Sequence, residues 1–463
     1  MEDKPASDHV PMARLDRPPR GALATLGLFL LGNGEAIRRL AATPRLWLVG
    51  LLFTFGAGLA REYDAEDLLA EPWHLLIAPG ASWMAATALW LLVQFNDRKR
   101  WVWSSAKAQN PSTQPDTESG PEAPPITPPR APRLLDSYLA FLGLFWLTAP
   151  LAWMYGIPFE RFQSAGEAAS SNLWMLTVIA LWRGVLMIRV LHVLYGIGGV
   201  VASVIVLLFG DVLMLIALTT IPVPIFAIMG GVRLGEADRS LAMLALVGKF
   251  LSAIGAVVLL GLLWVTTSLD KRRWSWHVAA VTVPLRPLVI LALVAIAWWC
   301  AWLPLTQPEQ QLRHQVEQAL RQNDFATGLS VLASHEPERF PPHWDPPPRI
   351  GYADNRPDPG DVLLFLLDHP HGERCQRIFE DKLIAQGWIY AMHLRRNRTA
   401  LSNLVTLLER MPNAERLMHP TFPEHDRDRY GYGLHQALSQ VGDSGDPALG
   451  QRINTLLERY PLR

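Results

Sequence analysis

The most regular feature of the chain is a series of long apolar runs separated by short polar segments. A helix of about 20 apolar residues crosses the hydrocarbon core of a bilayer. The shortest run, at 15 residues, reaches this length if residues 41–45 extend it and Arg45 extends its side chain to the headgroups. The pattern predicts seven spans: Leu46–Ala60, Trp73–Phe95, Leu135–Ile157, Leu173–Tyr195, Val200–Ile221, Leu241–Val265 and Pro287–Pro304.

Aromatic residues and composition support a membrane location. Trp and Tyr cluster at the ends of the runs, as in an interfacial belt. Half of the residues are hydrophobic and 18% are charged, whereas an ordinary soluble domain has about 25% charged residues. The 42 basic and 42 acidic residues balance, so no nucleic-acid partner is expected. Membrane lipids are the first predicted partner.

The distribution of Lys and Arg predicts the orientation. Segments on the side of the N-terminus carry 17 basic residues and those on the other side carry four. The positive-inside rule therefore places the N-terminus in the cytoplasm of a bacterial inner membrane. Seven crossings then place residues 306–463 outside the cytoplasm.

Composition divides the chain into five parts. The N-terminal part includes an expected interfacial helix over residues 22–43. The linker is rich in Pro, Ser and Thr and is expected to be disordered, with a docking segment as the alternative. The parts are a cytoplasmic segment (1–45), a two-span hairpin (46–95), the linker (96–134), a five-span bundle (135–305) and an extracytoplasmic helical domain (306–463).

The last part reads as a soluble all-helical domain, which makes the predicted fold class all-α. It carries 18 basic and 21 acidic residues, and its apolar positions recur with helical periodicity. Asp324, Asp361 and Asp446 are expected as N-caps or first-turn acids. A solenoid-like stack, as in tetratricopeptide folds, is one arrangement of such short helices. The proline-rich stretch 340–349 presents Trp344, either as a clamp between helices or as a contact for a partner.

Four charged residues lie inside the predicted spans: Arg183, Arg189, Asp211 and Lys249. Charges in hydrocarbon are costly and usually face a bundle interior or a partner. Arg183 and Asp211 flank a glycine turn symmetrically, each roughly 21 Å from it, and Lys249 lies at a similar depth. We expect a layer with a cationic surplus, which either stabilises the bundle or binds a lipid phosphate or an anionic substrate.

Two further segments carry weaker signals. Pro222 and Pro224, followed by Gly230 and Gly231, indicate either a re-entrant segment lining an outer cavity or a loop packed on the bundle.

In the first outer loop, Asp67, Glu71 and His74 fall on one face if the segment is helical. They are weak metal candidates because no recognised ligand spacing is present. A solvated acidic loop is the simpler interpretation, and no metal is expected.

Motifs that define a chemistry are lacking from the sequence. There is no phosphate-binding loop of the Walker type, no H-E-x-x-H, no C-x-x-C and no G-x-S-x-G. No catalytic residue and no cofactor is therefore predicted, and the identity of any small-molecule substrate stays open.

The residues Gly34-Glu35-Ala36-Ile37-Arg38-Arg39-Leu40 and Pro44, which lead into the first span, resemble the start of bacterial Yip1-type multi-pass proteins. The spacing of the later spans does not follow that family. Residues 61–64, 71–74 and 343–346 are similar to segments of uncharacterised bacterial inner-membrane proteins. The resemblance implies a membrane family without a defined activity and assigns no functional residue.

These observations favour a scaffold or accessory component whose soluble helical domain binds an envelope protein while the bundle anchors it. The alternative is a transporter or lipid-handling protein that holds an anionic group at the intramembrane charges. A membrane enzyme ranks third.

The topology leads to a direct prediction. Because seven crossings separate the ends of the chain, a reporter fused after Arg463 should be active only outside the cytoplasm. Cysteine labelling from the external side provides the same information. A cytoplasmic signal at that position would contradict the count of seven spans.

Overall fold

A computed structural model describes residues 21–108, 134–220, 236–269, 276–348, 357–394, 397–419, 433–441 and 446–461. Throughout these ranges the regular secondary structure is helical, and no strand occurs within them. In the described residues of the N-terminal part the helices are α1 (Ala22–Leu30), α2 (Gly34–Ala41), α3 (Leu46–Glu62), α4 (His74–Ala108), α5 (Leu134–Trp146), α6 (Ala165–Tyr195), α7 (Gly199–Thr220), α8 (Glu236–Leu269) and α9 (Arg286–Cys300).

Helices of the C-terminal part are shorter on average and follow the last apolar run directly. They are α10 (Leu303–Arg321), α11 (Phe325–Ser334), α12 (Pro359–Asp368), α13 (Glu373–Leu394), α14 (Arg398–Arg410), α15 (Ala414–Met418), α16 (Gly433–Val441) and α17 (Pro447–Arg459). Asp324 and Asp446 cap α11 and α17 through their side chains, and Asp361 lies in the first turn of α12, as expected.

The all-helical fold is confirmed for the described residues, which contain five to seven helices long and apolar enough to cross a membrane. Five segments are single candidate spans: His74–Gln94, Leu134–Arg161, Ala165–Tyr195, Gly199–Thr220 and Leu241–Leu269. The first and seventh predicted runs belong instead to bent pairs, α2 with α3 at 110° and α9 with α10 at 51°. At the first bend Arg45 has a φ of 60°, a left-handed conformation that turns the chain between α2 and α3.

The expected interfacial helix over residues 22–43 is divided into two helices. Gly32 has a φ of 76°, and the Asn33 side chain accepts hydrogen bonds from the amides of Glu35 and Ala36. The turn therefore ends α1 and caps α2. The apolar α1 packs into the bundle core through Phe29, so only α2 has the amphipathic character that the sequence indicated.

Helix α3 lies in the middle of the bundle and packs against α4, α5 and α9. Its approach to α5 is close because two glycines face each other. A Cβ on Gly50 would lie 2.7 Å from Cβ of Trp146 and 3.1 Å from the carbonyl oxygen of Gly143. The chain after α5 continues as a 3-10 helix over Ala149–Gly156, so the third span is not α-helical throughout.

Large apolar side chains cover the outside of the bundle. Only 17% of the most apolar window of α8 is buried inside the protein. Phe250, Val257 and Trp264 on this helix are 68%, 71% and 75% exposed. A surface of this kind is suited to acyl chains and not to water.

The segments that connect the helices form two hydrogen-bonded groups, one at each end of the bundle. At one end the amides of His277, Ala279 and Val283 bond to Leu194, Arg38 and Thr43. At the other end the loop after α3, the segment 159–163 and α10 are in contact.

The C-terminal helices share a hydrophobic core distinct from that of the bundle. It is built from fully buried leucines and phenylalanines, among them Leu329, Phe379, Leu404 and Leu438. Helix α14 packs on α12, and its Arg410 forms an ion pair with Asp368 at the end of α12. This hydrogen-bonded pair lowers the pKa of Asp368 below its usual value.

The close contact between α3 and α5 makes a testable prediction. Gly50→Ala should destabilise the bundle by about 1–3 kcal/mol, because the added methyl group overlaps Trp146 and the α5 backbone. Gly184→Ala in α6 is the matched control, since nothing lies within 4 Å of its Cβ position. Unfolding of the purified protein in detergent measures both, and equal stability of the two variants would contradict the packing.

Candidate functional site

Arg183 is held by residues of the third span. Its Nε donates a hydrogen bond to Oγ1 of Thr148 at 3.0 Å, and its guanidinium lies 5.5 Å from the ring centre of Phe145. Thr148 in turn donates to the carbonyl of Phe145. Arg183 therefore faces a hydroxyl and an aromatic ring, and no acidic side chain pairs with it among the residues that the structure describes.

The guanidinium of Arg189 is hydrogen-bonded to the backbone. Its Nε donates to the carbonyl oxygen of Gly32 at 3.2 Å, in the turn between α1 and α2. The C-terminal end of a helix carries partial negative charge, so a cation next to the end of α1 is favourable. The carbonyl of Leu30 in the same turn accepts from the indole of Trp182.

Asp211 packs against α8 at Gly255. Both carboxylate oxygens lie 3.1 Å from the position that a Cβ on Gly255 would take. Its Oδ2 is buried and has no hydrogen-bond partner in the described part of the chain. Lys249 lies six residues before Gly255 on the same helix, which is about 9 Å along the axis.

Arg183, Arg189 and Asp211 are therefore not joined directly to one another in the described residues. Arg183, Arg189 and Asp211 contact three different neighbours: Thr148, the turn at Gly32, and Gly255. The functional meaning of the predicted layer stays a prediction.

The second predicted feature, with Pro222, Pro224, Gly230 and Gly231, lies outside the described residues.

Trp344 lies between helices of the C-terminal core. Its indole N–H donates to Glu317 of α10 at 2.9 Å, and its ring stacks on Phe340 with centroids 5.0 Å apart. The next residue, Asp345, forms an ion pair with the buried Lys382 of α13. These contacts favour the clamp interpretation over direct presentation of Trp344 to a partner.

A polar site that was not predicted joins the loop after α3 to α10. Gln307 is 6% exposed, and its side chain makes three hydrogen bonds to this loop. Its Oε1 accepts from the amide of Leu68 at 2.8 Å, and its Nε2 donates to the carbonyls of Tyr63 and Glu66, each at 3.0 Å. We call residues 63–71 together with Thr306, Gln307, Gln310 and Arg313 the polar joint.

Neighbouring side chains of α10 extend the polar joint. The Thr306 hydroxyl donates to the carbonyl of Tyr63 at 2.6 Å, and Nε2 of Gln310 donates to that of Asp64 at 2.6 Å. Arg313 forms an ion pair with Glu66 at 2.5 Å. One face of α10 therefore replaces water for one amide and three carbonyls of the loop.

Arg161 adds a third element to this joint. It forms a two-point interaction with the Asp64 carboxylate, with Nε to Oδ2 at 3.0 Å and Nη2 to Oδ1 at 2.5 Å. The same Nη2 donates to Glu309 of α10 at 3.0 Å. A planar guanidinium suits such a bridge between two carboxylates.

Tyr63 connects the joint to the apolar part of the bundle. Its hydroxyl donates to the carbonyl of Gly156 at 2.9 Å, and its ring lies 5.4 Å from that of Trp299. A Cβ on Gly156 would lie 2.2 Å from Trp299, so only glycine leaves room for this indole. Burial, together with the nearby Asp64, raises the pKa of Tyr63 to about 12, and the phenol stays a donor at neutral pH.

The weak metal candidates are only partly brought together. Asp67 turns its carboxylate to the amides of Leu69 and Ala70, as in an Asx turn, and not toward His74. Glu71 lies 3.7 Å from His74. The group whose ligand atoms lie within 4.8 Å of one another is instead Glu62, Glu66 and His74.

A cleft of about 410 Å³ opens beside the joint. It is lined by residues that include Arg161, Glu309, His343, Trp344 and Arg374. His343 also donates from Nε2 to the carbonyl of Gln163, which ties the proline-rich stretch to the bundle.

Comparison of the chain with protein-family models, with curated proteins and with solved structures finds no match. The functional argument therefore depends on the geometry described above.

The polar joint can be tested by one substitution. Gln307→Leu leaves the amide of Leu68 and the carbonyl of Glu66 without partners, while the carbonyl of Tyr63 keeps Thr306, and should cost about 1–3 kcal/mol of stability. The exposed Gln315 lies on the same helix, and Gln315→Leu should change stability by no more than about 0.5 kcal/mol. Thermal unfolding of both variants measures the difference, and a neutral Gln307→Leu would show that the joint contributes little.

Proposed function

We propose that this chain is a multi-pass scaffold or accessory protein of a bacterial inner membrane. In this proposal the bundle anchors the C-terminal helices at the extracytoplasmic face, where they bind an envelope protein. The observation that carries the proposal is the polar joint, which fixes the C-terminal helices to the bundle at several points.

A flexible connection between the bundle and the C-terminal helices would not need a polar joint. Here α9 continues into α10 after a bend of 51°, and Gln307, Gln310 and Arg313 then bond to the loop after α3. Arg161 and His343 add contacts to the segment 159–163. Holding a binding surface in one orientation lowers the entropy cost of association, which is a useful property of a scaffold.

The C-terminal helices supply the binding surface in this proposal. They have their own hydrophobic core, and we propose that they form a soluble, solenoid-like domain. Trp344 acts within it as a clamp, since its indole already bonds to Glu317. The exposed apolar face of α8 contacts membrane lipids.

One observation favours the alternative of a transporter or lipid-handling protein. The guanidinium of Arg183 has a hydroxyl and an aromatic ring as neighbours, and no acidic partner in the described part of the chain. An anionic group that reaches this depth would complete its charge balance.

Complementation of a strain that lacks the chain separates the two proposals. The scaffold proposal predicts that Arg183→Ala and Lys249→Ala restore activity, whereas Gln307→Leu restores less because the C-terminal helices are no longer held. Gln315→Leu is the matched control, and immunoblotting confirms equal abundance.

Loss of activity in Arg183→Ala at wild-type abundance would contradict the scaffold proposal and favour the alternative. A photo-crosslinker placed at an exposed position of the C-terminal helices, such as Glu338, should give one reproducible protein adduct in cells. The Gln307→Leu variant should give less of it, and a crosslink pattern identical to that of Gln315→Leu would contradict the proposed role of the joint.

A further inference from the structure

We propose that Glu62, Glu66 and His74 form a binding site for a divalent first-row transition metal ion, with Zn²⁺ as the best match. The site goes beyond the scaffold role and does not depend on it. Glu62 ends α3, Glu66 lies in the following loop and His74 begins α4. One ligand atom from each of the three residues lies within 4.8 Å of the others.

The donor set indicates the class of ion. Two carboxylates and one imidazole match the oxygen and nitrogen ligands that Zn²⁺ takes in tetrahedral sites with a fourth position. Ca²⁺ and Mg²⁺ prefer oxygen ligands alone, so the imidazole selects against them. Glu71, at 3.7 Å from Nε2 of His74, is placed to supply or to orient a further ligand.

An independent observation is the burial of the Glu62 carboxylate without a hydrogen bond from any described residue. The Glu62 side chain is 9% exposed, and no hydrogen bond to its carboxylate occurs within the described residues. Its ion-pair partner is Arg61 at 3.3 Å, whose own side chain is 66% exposed. A buried carboxylate with such weak compensation is stabilised by a bound cation.

The imidazole rings of His74 and His314 also lack hydrogen bonds in the described residues. His74 and His314 approach the same carboxylate oxygen of Glu71 from different elements, at 3.7 and 3.9 Å. Both distances are too long for a hydrogen bond, and neither ring is hydrogen-bonded within the described residues. Two imidazoles and three glutamates therefore converge on one region, where Glu62 pairs with Arg61 and Glu66 pairs with Arg313.

Charge balance also favours a divalent cation. Residues 61–71 contain five acids and one base, Arg61. Arg161 and Arg313 reach this segment from other elements and pair with Asp64 and Glu66. Glu309 of α10 shares Arg161, so the cluster keeps a net negative charge, which a divalent ion would reduce.

The test uses the full-length chain, purified without a histidine tag and freed of metal by a chelator. Calorimetric titration with Zn²⁺ should show one saturable site per chain, and Zn²⁺ should raise the unfolding temperature. Glu62→Gln and His74→Asn should each weaken Zn²⁺ binding at least about tenfold. His369→Asn, at an exposed histidine of the C-terminal helices, is the control and should bind as the unchanged chain does.

Three outcomes would overturn the proposal: no saturable Zn²⁺ binding, unchanged affinity in His74→Asn, or Ca²⁺ binding as tight as Zn²⁺ binding. Unfolding scans without metal show whether the variants fold. If Glu62→Gln does not fold, Glu66→Gln replaces it, because Glu66 is only partly buried. Unchanged Zn²⁺ affinity in that folded variant would also overturn the site.

Discussion

The arrangement of this protein depends on a buried amide, the side chain of Gln307. It lies where the loop after α3 would otherwise leave the amide of Leu68 and the carbonyl of Glu66 without partners, and it adds a second donor to the carbonyl of Tyr63. Because an unpaired buried polar group is costly, the three hydrogen bonds must form together with the burial of the loop. The loop and α10 therefore have one favourable arrangement, and the C-terminal helices take their position from it.

The same contacts constrain the path of the chain through the membrane. The loop after α3, the segment that contains Arg161, and α10 must lie at the same end of the bundle. An even number of crossings must then separate each of these segments from the next. Six crossings between the loop and α10 meet this condition, and four would meet it as well, so the contacts determine the parity of the crossings and not their number.

The spans were predictable because hydropathy is a local property of the sequence, whereas the joint depends on pairs of residues far apart. Leu68 and Gln307 are 239 positions from each other, and neither belongs to a recognised motif. The rise per residue of a helix predicted that Arg183 and Asp211 lie at equal depth. It does not determine the direction in which each side chain points around the helix axis, and so it could not predict their neighbours. The alignment of Asp67 with His74 assumed that the first loop is helical. In the structure the loop turns at Asp67, and Glu62 and Glu66 lie near His74 instead. The presence of five acidic residues in this loop was the signal in the sequence that pointed to this site.

Amide hydrogen exchange at Leu68 tests the central role of the joint most directly. Its N–H donates to Oε1 of Gln307 in a buried site, so its exchange requires the joint to open. The amide should exchange as slowly as those of the bundle core, and Gln307→Leu should remove this protection. Exchange of Leu68 at the rate of an unstructured peptide in the unchanged protein would contradict the account.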